Sequence, residues 1–285
     1  MTGRIIKVAR GSFHVETASG VVVCRTRGNL RLAETSPCAG DFVTISQTEA
    51  DTIIEKILPR RNFIPRPPAA NIDLLLFVVS VCEPRPNTAV LDTMTVLAQL
   101  AEVPVAIALT KCDLAMPEPW KNIYRRAGFP VYCLCRTDSN KTDDLVALRN
   151  ELHDRTVLLA GNSGAGKSTL LNRILPELGQ ETAEISHKLG RGKHTTRQTA
   201  FFRTDNMLLG DSPGFSSLDL AQQGVKRQEL AEGFREFTPY FGQCRFQDCT
   251  HLREPGCTVR KAAEAGEIPL ERYENYVRFY KALPM

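Results

Sequence analysis

Over the first sixty residues apolar and polar positions alternate with a period of two, in short runs. Arg4–Ala9, Ser12–Thr17, Val21–Arg27, Asp41–Ile45 and Thr52–Ile57 each read as a half-buried strand, punctuated by Gly11, Gly20, Gly28 and Gly40. Five strands at this spacing predict a small closed barrel, for which an OB-fold is the natural candidate. The segment Pro59–Pro68 (PRRNFIPRPP) then carries four prolines and three arginines. Proline fixes φ and removes a donor, so this segment is neither helix nor central strand and predicts a stiff connector. A domain boundary is expected near residues 66–70.

Beyond the connector the pattern changes. Asp73–Val81 is almost continuously apolar, as in a strand buried on both faces. Thr88–Glu102 has helical spacing, with Val90, Leu91, Met94, Leu97 and Leu100 on one side. Val105–Leu109 and Pro130–Cys135 read as strands, Asp143–His153 as a helix, Arg155–Ala160 as a strand and Lys167–Leu175 as the start of a helix. Such alternation predicts a parallel, doubly wound α/β sheet with ligands at the carboxyl ends of its strands. Helical patterns return at Arg227–Phe237, Val259–Ala265 and Leu270–Leu283. The last carries Tyr273, Tyr276, Phe279 and Tyr280, an aromatic stripe that reads as packing. The expected organisation is therefore multidomain: a β-barrel over 1–66, an α/β domain over 67–225 and a helical unit over 226–285.

Composition narrows the class. The chain has 285 residues, 42% of them hydrophobic, enough to bury a real core. No run of 18 apolar residues occurs, and Met1–Arg4 lacks the layout of a signal peptide, so a soluble cytoplasmic protein with no membrane partner is expected. Nine scattered cysteines point to reduced thiols, some available to a metal. The net charge of +4 is concentrated at the start, where residues 1–66 hold ten Lys/Arg against six Asp/Glu. Arg25, Arg27 and Arg31 fit either a nucleic-acid face on the barrel or a solvated rim.

The strongest chemical signal is Gly161–Asn162–Ser163–Gly164–Ala165–Gly166–Lys167–Ser168–Thr169, between a predicted strand and a predicted helix. It matches the phosphate-loop pattern at each required position. Glycines let consecutive N–H groups face phosphate oxygens, aided by the positive end of the helix. Lys167 is expected at the β- and γ-phosphates and the Ser168 hydroxyl on Mg²⁺. After the strand Val105–Leu109 comes Thr110–Lys111–Cys112–Asp113, which looks like the guanine-reading element of GTPases. A carboxylate there accepts from the N1–H and 2-amino group of guanine, a pair that adenine lacks. The usual first residue is Asn, so Thr110 removes an amide contact. Cys135–Arg136–Thr137 stands where a backbone contact to the guanine oxygen is usual.

Asp211–Ser212–Pro213–Gly214 resembles the element that holds Mg²⁺ through Asp211 and senses the γ-phosphate through the Gly214 N–H. Between it and the phosphate loop lies Gly190–Arg191–Gly192–Lys193–His194–Thr195–Thr196–Arg197, a candidate switch in which Thr195 or Thr196 completes Mg²⁺ coordination. The base-reading element precedes the phosphate loop, the reverse of the common order and the signature of a circular permutation. Phe215 stands where Ras-like enzymes carry a water-orienting Gln. Slow intrinsic hydrolysis is therefore expected, with His194 or a partner supplying the missing polar group. Finally, Cys244–x4–Cys249–x–His251–x5–Cys257 presents three thiols and an imidazole, a ligand set suited to one structural Zn²⁺.

Taken together, these motifs resemble the RsgA (YjeQ) family of bacterial circularly permuted GTPases along the whole chain. The G-[RK]-G-[RK]-H-T-T loop at Gly190–Thr196 and the C-x4-C-x-H-x5-C tract carry the resemblance most specifically. It implies a GTPase that binds GTP and GDP and acts late in maturation of the small ribosomal subunit. It further implies contact with that subunit's rRNA through the barrel and zinc domains, and hydrolysis stimulated by the subunit; a monomer is expected. The alternative is an RNA-binding assembly module in which guanine nucleotide is a low-turnover structural switch.

Overall fold

The computed structural model describes residues 1–9, 11–26, 36–48, 51–65, 68–135, 143–174, 199–204, 207–211 and 219–284. The chain opens with β1 (Thr2–Ala9), β2 (Ser12–Thr17), β3 (Gly20–Thr26), β4 (Phe42–Gln47), β5 (Thr52–Ile57), β6 (Phe63–Pro65) and β7 (Pro68–Ala70). Then follow β8 (Leu74–Ser80), α1 (Thr88–Leu100), β9 (Val105–Thr110), α2 (Glu118–Arg126), β10 (Val131–Leu134), α3 (Asp143–Leu152), β11 (Thr156–Ala160) and α4 (Lys167–Ile174). After β12 (Ala200–Thr204) and β13 (Met207–Asp211) come short 3-10 turns and the helices α5 (Thr258–Glu264) and α6 (Leu270–Ala282). Two compact units result: Met1–Leu74 with Leu152–Ala160 and Ser168–Pro213, and Leu75–Glu151 with Gly161–Lys167 and Gly214–Met285.

In the first unit, β1 pairs antiparallel with both β2 and β4, β2 pairs with β3, β4 pairs with β5, and β3 runs parallel to β5. These pairings close the predicted five-stranded barrel. Period-2 alternation turns Ile5, Val15, Cys24, Val43 and Ile54 inward, where they are wholly buried. The expected proline connector carries a two-stranded ribbon, β6 against β7. Pro65 and Pro68 face each other at its end, where a missing N–H costs the ladder little.

A second set of strands shares this unit. β11 runs parallel to β13, β12 runs antiparallel to β13, and Lys7 of β1 pairs with Ala200 of β12. Arg4 fastens barrel to sheet. Its Nη1 donates to Thr156 Oγ1 and its Nη2 to the Asn71 carbonyl, both at 2.8 Å. Burial brings its pKa down to about 10.

In the second unit β8, β9 and β10 form a parallel ladder in the order β10–β9–β8. Every residue of β8 and β9 is buried, as continuous apolar runs require. Asn87 caps α1, its Oδ1 accepting from the Ala89 amide at 3.0 Å. The helix expected over Arg227–Phe237 is absent. Leu230–Gly233 and Arg235–Tyr240 are 3-10 turns separated by Phe234, which is non-helical at φ -100° and ψ 89°. Two residues explain this. Gly233 lies against α1, where an added Cβ would stand 2.6 Å from Val96 Cγ1, and Pro239 interrupts the second turn.

The aromatic stripe of α6 packs with Phe234, Phe237, Leu230 and Val96 in one core. Arg272 lies beside it, fully buried. Its Nε and Nη2 donate to Glu236 at 2.6 and 3.0 Å, and its Nη1 to Asp92 and Thr95 at 2.7 and 2.8 Å. Asp92 also accepts from Tyr124 and Asn275. Burial disfavours the charged guanidinium, but attraction to the two carboxylates outweighs it and raises the pKa of Arg272.

Candidate functional site

Strand β11 runs into Gly161, the loop occupies Gly161–Gly166, and α4 starts at Lys167. Gly161 has φ +145°, and a Cβ there would fall 2.2 Å from the Val78 carbonyl oxygen. Only glycine fits so close a backbone approach. The Ala165 amide donates to the Asn162 carbonyl at 3.1 Å, tightening the turn. Ser163, Gly164, Ser168 and Thr169 are exposed, whereas Ala165 is buried. Lys167 curls its ammonium back onto the carbonyls of Gly161 and Asn162, the latter at 3.1 Å. An ammonium held by two neutral acceptors over a ring of amides can exchange them for anionic phosphate oxygens.

Thr110 ends β9 in register with Ser80 of β8 and Leu134 of β10. Its buried hydroxyl donates to the Ala165 carbonyl at 2.6 Å, so the base-reading candidate is tied to the phosphate loop. From the sequence alone Thr110 reads as a lost amide contact; this bond spans too much chain to leave a local signal. Lys111 follows in the left-handed region at φ +61°, its ammonium donating to the Glu83 carbonyl. The turn brings the Cys112 amide within 3.3 Å of the Leu134 carbonyl and leaves Asp113 exposed. The Glu83 contact was likewise not legible, since the acceptor is a backbone oxygen.

Asp211 ends β13, paired with Leu159 and Ala200. His194, Thr195, Thr196, Gly214 and Phe215 lie outside the described residues, as do Arg27, Arg31, Arg136 and Thr137.

The four expected metal ligands converge. The ligand atoms of Cys244, Cys249, His251 and Cys257 all lie within 4.8 Å of one another. His251 Nδ1 is 3.6 Å from Cys244 Sγ and 3.5 Å from Cys257 Sγ. Bonds of about 2.0–2.3 Å to a tetrahedral Zn²⁺ put ligand atoms roughly 3.5–3.8 Å apart, so the cluster fits that ion. Burial lowers the pKa of His251 and keeps the ring neutral, the form that ligates. Surrounding groups hold the ligands in place. The Arg260 amide donates to Cys257 Sγ at 3.4 Å, and the Thr258 hydroxyl lies 3.2 Å from Cys244 Sγ. Tyr273 donates to the His251 carbonyl at 2.8 Å, and Phe241 stacks on the imidazole.

Known proteins resemble this chain along its length. A family model described as RsgA GTPase matches residues 57–221, and one described as RsgA N-terminal domain matches residues 2–54. The small ribosomal subunit biogenesis GTPase RsgA of Alkaliphilus metalliredigens is 39% identical over 284 residues, covering 97% of this chain and 95% of that protein. The protein of the same name from Bacillus subtilis is 37% identical over 289 residues, with 97% and 95% covered. Among solved structures, YjeQ from Thermotoga maritima superposes with a TM-score of 0.78 at 29% identity, covering 99% of this chain and 98% of that one. YloQ, described as a circularly permuted GTPase, gives 0.76 at 29% identity, covering 99% and 94%.

Proposed function

We propose a function from one premise: this chain belongs to the RsgA family of circularly permuted GTPases. It hydrolyses GTP to GDP and phosphate in the biogenesis of the small ribosomal subunit, the role its relatives are named for. The observation that carries this reading is the bond from Thr110 to Ala165, which joins the base-reading candidate to the phosphate loop despite their reversed order.

In this reading Asp113 accepts from the guanine edge and Lys111 lies along the base. The amides from Gly161 to Gly166 and the Lys167 ammonium hold the phosphates. Ser168 and Asp211 hold Mg²⁺, which neutralises charge on the phosphate oxygens. Thr195 or Thr196 and Gly214 respond to the γ-phosphate, and His194 places the attacking water. Cys244, Cys249, His251 and Cys257 hold one structural Zn²⁺. The barrel over 1–66 and the zinc unit over 226–285 contact the subunit's rRNA, flanking a nucleotide domain over 67–225. The protein acts as a cytoplasmic monomer, and no helix among the described residues is long and apolar enough to cross a membrane.

Phosphate release by the full chain, with and without small ribosomal subunits, tests this function. The expected result is slow release alone, strong stimulation by subunits, competition by GTP but not ATP, and loss of turnover in Lys167→Ala. Phe215 at the usual Gln position favours a second reading, a nucleotide-bound assembly module with little turnover. That reading predicts subunit binding that depends on nucleotide but no stimulated release.

A further inference from the structure

We propose that Cys112 and Cys133 are an oxidisable pair, which a peroxide converts to a disulfide that loosens nucleotide binding. The coupling to nucleotide rests on the assignment of Thr110–Asp113 as the base-reading element; the chemistry of the pair does not.

The geometry begins with the left-handed turn at Lys111. It folds Cys112 back along β9, so that its Sγ lies 3.3 Å from the Leu109 carbonyl oxygen. Leu109 is the register partner of Cys133 in the β9–β10 ladder, and the Cys112 amide donates to Leu134, the next residue along. The two cysteines therefore stand beside each other at the end of the ladder, close enough for each thiol to shift the titration of the other. Both residues are half-buried, within reach of a small oxidant.

The pair is chemically asymmetric. The neighbouring Cys112 thiol, with Lys121 and Arg125 nearby, outweighs burial and the Asp144 carboxylate and brings Cys133 down to about 7. The Cys133 thiol, together with burial, pushes Cys112 up. Cys133 is thus the thiol that ionises near neutral pH, and Cys112 keeps its proton.

The reaction balances with hydrogen peroxide as oxidant. The Cys133 thiolate attacks one peroxide oxygen and the O–O bond breaks. Cys133 becomes a sulfenic acid, and the hydroxide that leaves takes a proton from solvent. Cys112 then gives up its proton, its sulfur attacks that of Cys133, the S–O bond breaks and water departs. Two thiols and one peroxide yield one disulfide and two waters, and an external dithiol reverses the change.

The bond sets sulfur atoms about 2.05 Å apart, far closer than two unbonded sulfurs can approach. Cys112 is drawn toward β10, and Asp113, the next residue, moves with it. A reducing cytosol keeps such a pair open until peroxide rises.

The test uses the zinc-loaded full chain, reduced, desalted and titrated with hydrogen peroxide. Peptide mass spectrometry without reduction is expected to find Cys112 and Cys133 joined, with the loss of two hydrogens. GDP affinity should fall about tenfold, recover with dithiothreitol, and stay at the reduced value in peroxide-treated Cys133→Ser. A Cys112 peptide that stays reduced, or that joins another cysteine, overturns the pair. A Cys112–Cys133 link without a change in affinity overturns its coupling to nucleotide. If the reduced chain binds no guanine nucleotide, the base-reading assignment fails, while the mass measurement still decides the pair.

Discussion

Thr110 Oγ1 donates to the carbonyl oxygen of Ala165 at 2.6 Å, across 55 positions of sequence. Thr110 closes β9 and Ala165 is a buried residue of the phosphate loop, so one hydroxyl fixes the spacing between two loops. Thr110→Val keeps the shape and removes the donor. A buried carbonyl left without its partner costs about 1 kcal/mol or more, equivalent to about a fivefold weaker GDP complex if the loop must be held for binding. Titration with a fluorescent GDP analogue measures it; unchanged affinity would show that the bond is idle.

That contact also marks where sequence stops being informative. β8 and the phosphate loop were legible because their signals are local: an unbroken apolar run and a fixed spacing of glycines and lysine. α2 was not, since among its nine residues Tyr124 is the one buried, leaving no apolar face to recognise. β12 escaped because AFFRT is too short to separate strand from loop. Arg227–Phe237 misled for a different reason. Its apolar residues serve the core from 3-10 turns, a choice made by contact of Gly233 with Val96.

Gly161→Ala should abolish nucleotide binding without loss of the phosphate-contacting side chains. The new methyl would meet the Val78 carbonyl at 2.2 Å, and φ +145° is costly for any residue with a Cβ. The loop must shift away from β8. Calorimetric titration with GDP is the measurement, with circular dichroism to confirm that the fold survives. Wild-type affinity would mean that the loop tolerates displacement.

Asp73 gives stability a dependence on acid. Burial pushes its carboxyl up, but the Thr156 amide, donating at 2.8 Å, and the Arg61 guanidinium outweigh it and hold the pKa below the ordinary value. A carboxylate lowered on folding contributes fully above its unfolded pKa of about 3.9, and the contribution is lost as pH falls through the folded value. Asp73→Asn should therefore melt below wild type at pH 7, and the gap should shrink as the pH is taken below about 4. Thermal melts across that range check the sign. A gap that widens in acid would contradict it.

Arg272→Met should destabilise the chain severely. It leaves Asp92 and Glu236 buried without their shared cation, a change that costs about 3–5 kcal/mol when one partner of a buried pair is removed. For a unit of this size that is a fall in melting temperature of about 10 °C. Arg272→Lys should recover only part of it, because one ammonium cannot match the forked contacts to Glu236 and the bond to Asp92 together.

Metal removal should act on the closing helices rather than on turnover chemistry. Three thiols and an imidazole fill a tetrahedral shell and leave no open position for substrate. The ligand loop is tied to α6 by Tyr273 on the His251 carbonyl and by Tyr276 on the Thr250 carbonyl, and Cys257 caps α5. Losing the ion releases four ligands and loosens both helices at once. Elemental analysis should find one zinc per chain, lost in Cys244→Ser and His251→Ala. After chelation, protease should cut first between residues 244 and 257, while GDP affinity stays within about twofold because the Thr110–Ala165 bond and the glycine loop involve none of the metal ligands. Cleavage that begins elsewhere, or a joint loss of metal and nucleotide, would show that the zinc cluster does more than brace the tail.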